Sequence, residues 1–152
     1  MQTNIAERYA DTDQGREAEA ILRKCVHCGF CTATCPTYQL LGDELDGPRG
    51  RIYQIKEILE GATPTKSTQT HLDRCLTCRS CETTCPSGVD YGRLADIGRK
   101  IVEDEVGRSW TQKLIRKALV VVIPNRRLFG FLVRVGQLLR PLMPGRIGTK
   151  IP

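Results

Sequence analysis

The sequence has no uninterrupted apolar segment that approaches the roughly 20 residues a membrane-spanning helix requires. Residues 1–9 contain no apolar core of the kind found in signal peptides, so we expect a cytoplasmic protein rather than an exported one. Glycine-rich dinucleotide fingerprints, nucleophile constellations and paired catalytic carboxylates are also missing. We therefore predict that the chain has no catalytic residues of its own.

Cysteine is absent from most of the chain and concentrated in two short runs. Each run has the spacing C-x2-C-x2-C-x3-C and is followed directly by Pro36 or Pro86. Shifted by 50 residues, CVHCGFCTATCP and CLTCRSCETTCP agree at every cysteine, at the proline and at Thr34 with Thr84. Because cytoplasmic cysteines are kept reduced, this duplication indicates metal ligation rather than disulfides. The candidate ligands are Cys25, Cys28, Cys31, Cys35, Cys75, Cys78, Cys81 and Cys85.

The spacing is the signature of bacterial ferredoxins that bind two 4Fe-4S clusters. Three cysteines separated by two residues each can reach three irons of one cluster, whereas the proline after the fourth cysteine steers the chain away, toward the other cluster. We therefore predict that the two runs exchange their last cysteines. Set one then consists of Cys25, Cys28, Cys31 and Cys85, and set two consists of Cys75, Cys78, Cys81 and Cys35.

Zinc is the main alternative metal, because four cysteines can also form a closed tetrahedral site. Zinc sites commonly use two C-x2-C pairs that are separated by a longer loop, and neither run has that separation. His27 lies inside the first run and His71 precedes the second. We interpret both as neighbours of the cysteines rather than ligands, because the cysteine sets are complete without them.

The segments around the cysteines carry helical signals, and β-strand signals are nearly absent. We predict a turn at residues 46–50, a polar linker at 61–68 and five helices in the first two thirds of the chain. Three helices are predicted with both ends: from a cap at Asp13 to about Lys24, from Arg51 to Glu60, and from about Thr70 to Cys75. For the other two only the start is predicted, at Pro36 and at a cap on Asp90. The expected fold class is mainly α, an α-helical ferredoxin domain at residues 1–106 that holds two 4Fe-4S clusters.

Residues 107–152 differ in charge and form the predicted C-terminal helical extension. They contain ten basic and no acidic residues, whereas residues 1–106 have a net charge of −4. We predict amphipathic helices at 110–123 and 125–139, separated by Pro124, with Trp110 and Phe131 as core residues. Three roles stay open for this extension: packing on the ferredoxin domain or on a partner subunit, contact with an anionic membrane, and nucleic-acid binding.

The chemistry of such clusters limits the function of the chain. Iron-sulfur clusters exchange single electrons, and the protein contributes ligation, hydrogen bonds to sulfur and control of solvent. An electron-transfer role is therefore expected, with any bond-making step carried out by another protein. The competing interpretation is a binding module in which the clusters only stabilise a scaffold and the basic extension attaches to membrane or nucleic acid.

The segments CVHCGFCTATCPTYQLLGDELDGPRGRIYQIKEILEG and HLDRCLTCRSCETTCPSGVDYGRLADIGRKIVE resemble the glycolate oxidase iron-sulfur subunits of bacteria. The segment GDELDGPRGRIY, between the two cysteine runs, distinguishes this family from ferredoxins in general. The resemblance extends from about Ala20 to Glu105, and more loosely to Pro152. The cysteine-rich C-terminal modules of that family are absent from these 152 residues.

The resemblance implies a role as a non-catalytic subunit of an oxidoreductase. Electrons from the oxidation of glycolate to glyoxylate would pass from flavin-containing dehydrogenase subunits, through two 4Fe-4S clusters, toward the respiratory chain. The same eight cysteines would be the cluster ligands. We expect a cytoplasmic location, with peripheral contact at the inner membrane as an open alternative, and we expect Arg49 and Arg51 either to lie near a cluster or simply to flank a helix start.

Overall fold

The computed structural model describes residues 1–139 and divides the chain into two compact units, of which the first ends at Gly107 and the second begins at Arg108. The predictions that concern Arg140, Arg146 and Lys150 of the basic extension lie outside the described residues. Within residues 1–139 every regular element is helical. The predicted mainly α fold is therefore confirmed.

The first unit consists of seven α-helices and two short 3-10 helices, of which one 3-10 helix and α6 lie inside the cysteine runs and the others lie outside them. The 3-10 helices are Phe30–Thr32 and Glu44–Asp46. The α-helices are α1 (Glu7–Ala10), α2 (Asp13–Lys24), α3 (Pro36–Leu41), α4 (Pro48–Leu59), α5 (Lys66–Asp73), α6 (Ser80–Thr83) and α7 (Tyr91–Val106).

The core of this unit lies between α2, α4, α5 and α7, which contact one another. Each of these helices turns its apolar residues inward, and Gly98 lets α7 approach α4 so closely that an added Cβ would meet Ile55 Cγ1 at 2.6 Å. Because α2 and α5 end next to Cys25 and Cys75, the core holds the first cysteine of each run in place. The buried apolar core includes Ala18, Leu22, Ile52, Ile55, Ile58, Leu59, Leu72, Leu94, Ala95, Ile97 and Val102.

Several helix starts differ from the sequence predictions. Helix α4 begins at Pro48, inside the predicted turn, because proline is favoured in the first turn of a helix. Helix α5 begins at Lys66, inside the predicted linker, where Thr65 forms a reciprocal cap with Thr68. Thr12, not Asp13, caps α2, since its side chain accepts a hydrogen bond from the Gly15 N–H. Asp90 caps α7 as predicted.

A buried network of charged groups connects the 3-10 helix Glu44–Asp46 with α4 and α5. Asp46 is fully buried and accepts hydrogen bonds from Arg74 at 2.8 Å and from Arg51 at 3.4 Å. Nδ1 of His71 lies 3.1 Å from the same carboxylate. Nε of Arg51, which is 1% exposed, also donates to the His71 carbonyl oxygen at 2.7 Å. An added Cβ at Gly50 would meet the Glu44 carbonyl oxygen at 2.1 Å, so glycine permits this close approach.

The carboxyl group of Asp46 stays ionised in this network. Burial alone would raise its pKa, but the hydrogen bonds from His71 and Arg74 lower the pKa below its ordinary value. A carboxylate with a lowered pKa stabilises the folded state above its ordinary pKa, and that stabilisation is lost as the pH falls. The ionised Asp46 carboxylate therefore stabilises the folded state fully at neutral pH.

The second unit contains α8 (Trp110–Val122) and α9 (Arg126–Leu139), which contact each other. Trp110 is 75% exposed and Phe131 is 62% exposed, so the prediction that they are core residues is wrong. Two helices alone cannot enclose side chains on all of their faces, and apolar residues therefore remain on the surface. Among the described residues, no helix combines the length and apolar character needed to cross a bilayer.

Replacing Asp46 by Asn tests the contribution of the buried network. The substitution leaves the charge of the buried Arg51 without its partner, and we expect it to lower the free energy of unfolding by about 3–5 kcal/mol. Denaturant unfolding of the anaerobic protein, followed by far-UV circular dichroism, measures the change. The control is Asp13→Asn, since Asp13 pairs with Arg16 on the surface and its side chain is 99% exposed. Equal stability of the two variants would contradict the proposed importance of the network.

Candidate iron-sulfur centre

Both cysteine loops adopt the same unusual backbone conformation. Positive φ angles occur at His27 and Gly29 in the first loop and at Thr77 and Arg79 in the second, with values of 60°, 86°, 53° and 57°. These positions are related by the 50-residue shift. A β-branched residue such as Thr77 rarely adopts a positive φ, and such strain concentrates at functional sites. Alternation of left- and right-handed residues turns successive backbone N–H groups toward one concavity, which suits an anionic iron-sulfur cluster.

The two loops contact each other around an internal pair of threonines. Thr34 and Thr84, which correspond in the duplication, have their hydroxyl oxygens 3.1 Å apart. The Thr34 hydroxyl also lies 3.2 Å from the carbonyl oxygen of Ser80, in the second loop. These hydrogen bonds hold the loops side by side although they are far apart in sequence. The fourth cysteine of each run thereby comes close to the other loop.

Two adjacent cavities lie against the loops. One cavity is lined by all four cysteines of set one, together with Cys81 of set two. The other is lined by all four cysteines of set two. Cys81, Pro48 and Tyr91 line both cavities and lie between them. The last cysteine of each run thus lines the cavity to which the other run contributes its first three cysteines.

The chemistry of the thiols fits metal ligation. Burial, together with the neighbouring Cys25, Cys28 and Cys85, raises the pKa of Cys31 to about 11. Burial also raises the pKa of Cys81 to about 12. Thiolates in such crowded, desolvated positions need a cation to offset their charge, and coordination to a metal deprotonates a thiol outright. The arrangement therefore suits iron ions bound among the sulfurs.

Two arginines from the GPRGR segment line the cavities. Arg49 lines the cavity of set one and forms an ion pair with Glu44 at 2.6 Å. Arg51 lines the cavity of set two and is buried in the network of Asp46. Both arginines therefore lie near a cysteine group, as one of the two sequence interpretations predicted. Their positive charges are placed to stabilise an anionic centre.

The two histidines have different surroundings. His27 lines the cavity of set one, and its Nδ1 is buried without a hydrogen-bond partner among the described residues. His71 instead contacts Asp46 in the buried network. Asp43, Asp46 and His71 are close enough to hold a metal ion, but the guanidinium groups of Arg51 and Arg74 already bind the Asp46 carboxylate. We therefore assign no metal to that group.

Sequence reasoning did not identify Tyr91 as a site residue. Its hydroxyl donates to Sγ of Cys75 at 3.4 Å, and the side chain is 5% exposed. Burial raises the pKa of Tyr91 well above its ordinary value, as does the nearby Cys75, so the hydroxyl keeps its proton and remains a donor. The signal that could have identified it is a break in the duplication, since position 41 is leucine.

The comparison with known proteins agrees with this geometry. The model of a 4Fe-4S dicluster domain matches residues 21–89, which include both cysteine runs. The succinate dehydrogenase iron-sulfur subunit of Paracoccus denitrificans is 29% identical over 92 residues, which cover 54% of this chain and 35% of that subunit. No solved structure matches the chain. The presence of two 4Fe-4S clusters follows from the domain match and the eight cysteines.

Two further relatives are more similar in sequence. The glycolate oxidase iron-sulfur subunit of Escherichia coli (strain K12) is 59% identical over 152 residues, which cover 100% of this chain and 37% of that subunit. The probable glycolate oxidase iron-sulfur subunit of Bacillus subtilis (strain 168) is 40% identical over 104 residues, 67% of this chain and 23% of the relative. The chain thus spans well under half the length of these relatives. It belongs, as a 4Fe-4S dicluster segment, to the family of glycolate oxidase iron-sulfur subunits.

Proposed function

We propose that this chain is the electron-transfer part of a flavin-linked glycolate dehydrogenase, in which it is a non-catalytic subunit. Electrons released when glycolate is oxidised to glyoxylate enter from flavin-containing subunits and leave toward the respiratory chain. The observation that carries this proposal is the pair of adjacent cavities, of which one is lined by the four cysteines of set one and by Cys81, and the other by the four cysteines of set two. The identity to glycolate oxidase iron-sulfur subunits supports the choice of substrate.

The ligand exchange between the runs is part of the proposal. Set one would hold one cluster and set two the other, each at the cavity that its four cysteines line. The bound clusters supply one-electron redox chemistry. The surrounding residues 1–106 would act as a ferredoxin domain that keeps the two sites adjacent. Cys81, Pro48 and Tyr91, which line both cavities, would lie between the two clusters.

The exposed loops provide the routes by which electrons enter and leave. Cys28 and Cys78, one from each set, are exposed at the surface of the unit. Val26 and Phe30 flank the first, and Leu76 flanks the second, all with more than half of their surface exposed. Apolar contacts around an exposed ligand would exclude water where a redox partner docks. Each cluster would therefore have its own exposed cysteine ligand, next to which a redox partner could dock and exchange electrons.

The basic extension, residues 107–152, supports a location at a cytoplasmic surface. Helices α8 and α9 expose Trp110, Ile115 and Phe131 together with basic residues such as Arg127 and Arg134. An exposed apolar surface with basic neighbours can bind a partner subunit or anionic lipid. We propose that the extension mainly contacts the partner subunit. In the alternative interpretation, the binding module, the extension would instead hold the chain on membrane or nucleic acid, and the clusters would transfer no electrons.

Addition of glycolate to the anaerobic complex tests the proposed function. We expect the visible absorbance of the clusters to bleach when glycolate is added to the chain copurified with its flavin-containing partner, because electrons from the substrate reduce the clusters. The isolated chain should not respond to glycolate, since we assign the oxidation of the substrate to the flavin-containing partner. Clusters that stay oxidised in the complete complex, although dithionite reduces them, would favour the binding-module alternative.

Replacing Cys35 by Ser tests the proposed exchange of ligands. Cys35 lies in the first run but lines the cavity of set two. We therefore expect the substitution to change the electron paramagnetic resonance signal of the cluster bound by Cys75, Cys78 and Cys81, and to leave the other signal intact. The matched control is Cys85→Ser, which should have the converse effect. Damage by Cys35→Ser that is confined to the cluster of Cys25, Cys28 and Cys31 would refute the assignment.

A further inference from the structure

The two cysteine sets have different hydrogen-bond donors although the runs that supply them are duplicated. Tyr91 Oη donates to Sγ of Cys75, in set two, at 3.4 Å. The corresponding position in the first copy, 50 residues earlier, is Leu41, which is 52% exposed. A buried phenol hydroxyl in one copy is thus replaced by an exposed alkyl side chain in the other.

A second polar contact of set two involves a buried arginine. Oγ1 of Thr37 lies 3.2 Å from Sγ of Cys35 and accepts a hydrogen bond of 3.1 Å from Nη1 of Arg51, while its own proton is donated to the Asp46 carbonyl oxygen at 2.8 Å. The Asp46 carboxylate offsets the charge of Arg51, and Arg74, which also binds Asp46, has a side chain that is 48% exposed. The buried guanidinium of Arg51 lines the cavity of set two.

The cavity of set one also has an arginine beside it. This residue, Arg49, forms an ion pair with Glu44 at 2.6 Å, and the two side chains are 36% and 41% exposed. The positive charge is therefore offset by one carboxylate and screened by solvent. Because the N-terminal amine of Met1 also lies 2.8 Å from the carbonyl oxygen of Cys25, the sets differ by the hydrogen bond to sulfur rather than by net charge.

We infer that the hydrogen bond from Tyr91 gives the cluster of set two the higher reduction potential, so that Tyr91 is a tuning residue. This inference rests on the proposed two-cluster electron-transfer function. Reduction adds one electron, and hence one negative charge, to a site, and donors or cations near its sulfurs stabilise that charge. One electron that enters at set one from the reduced flavin-containing partner therefore passes to set two. The first site is reoxidised by one electron and the second is reduced by one, with no bond made or broken.

Replacing Tyr91 by Phe tests the inference, because it removes only the hydroxyl and keeps the ring in the core. The readout is a redox titration of the anaerobic full chain with dithionite, monitored by electron paramagnetic resonance. We expect the higher of the two midpoint potentials to fall by the equivalent of about a tenfold change in the reduced-to-oxidised ratio, which is about 59 mV for one electron. The lower midpoint should stay unchanged.

Two further variants make the result specific. Tyr9→Phe removes a hydroxyl that donates to Glu105 at 2.6 Å and lines neither cysteine cavity, so both midpoints should keep their values. Cys28→Ser labels set one and should alter the signal with the lower midpoint. An altered signal with the higher midpoint would mean that the order of the potentials is reversed.

The outcomes also distinguish this inference from the proposed function. Two reducible clusters with midpoints that Tyr91→Phe does not move, or a fall confined to the lower midpoint, would overturn the inference and leave electron transfer standing. Clusters that dithionite does not reduce would contradict electron transfer itself, and the inference with it.

Discussion

The crossed placement of the cysteines is the constraint on which the rest of the structure depends. Each cavity is lined by the first three cysteines of one loop and the last cysteine of the other, and Cys81 lines both cavities. Filling the two cavities would therefore link the loops, and with them the helices α2 and α5 that deliver Cys25 and Cys75. The Thr34–Thr84 contact holds the loops in the register that this linkage requires. A small helical unit thus gains stability from cofactors that also perform its redox chemistry.

Electrostatics explains why the surroundings of the cavities are polar where most of the core is apolar. Eight thiolates and their clusters carry negative charge, about −2 for each oxidised cluster. Burying such charge is costly unless backbone N–H groups, hydroxyls or cations offset it. The left-handed residues of both loops have the conformation that can turn N–H groups toward a bound anion, and the buried Arg51 lines the cavity of set two. The hydrogen bond from Tyr91 to Cys75 is the difference on which the proposed difference in potential rests.

The cofactor could be predicted from the sequence because cysteine spacing is a local pattern with a specific geometry. The helical class and the apolar faces of α4 and α7 were also predictable from periodicity. The start of α4 was not, because the same Pro48 suits a turn and the first turn of a helix, and only the close approach of Gly50 to Glu44 decides between them. Tyr91 was missed because its only signal in the sequence, the replacement of Leu41 by tyrosine in the second copy, does not say that the hydroxyl reaches a cysteine sulfur. Trp110 was wrongly predicted to be a core residue, because amphipathic periodicity identifies the apolar face of a helix but does not show whether another element covers that face.

Counting iron and acid-labile sulfide in the anaerobically purified chain tests the central claim most directly. Two clusters held by eight cysteines require about eight iron and eight sulfide per chain. That stoichiometry, in a folded brown protein, is the predicted result. A folded, colourless protein that contains about two zinc ions per chain and no sulfide would contradict the account, because two tetrahedral cysteine sites could then explain the same cavities.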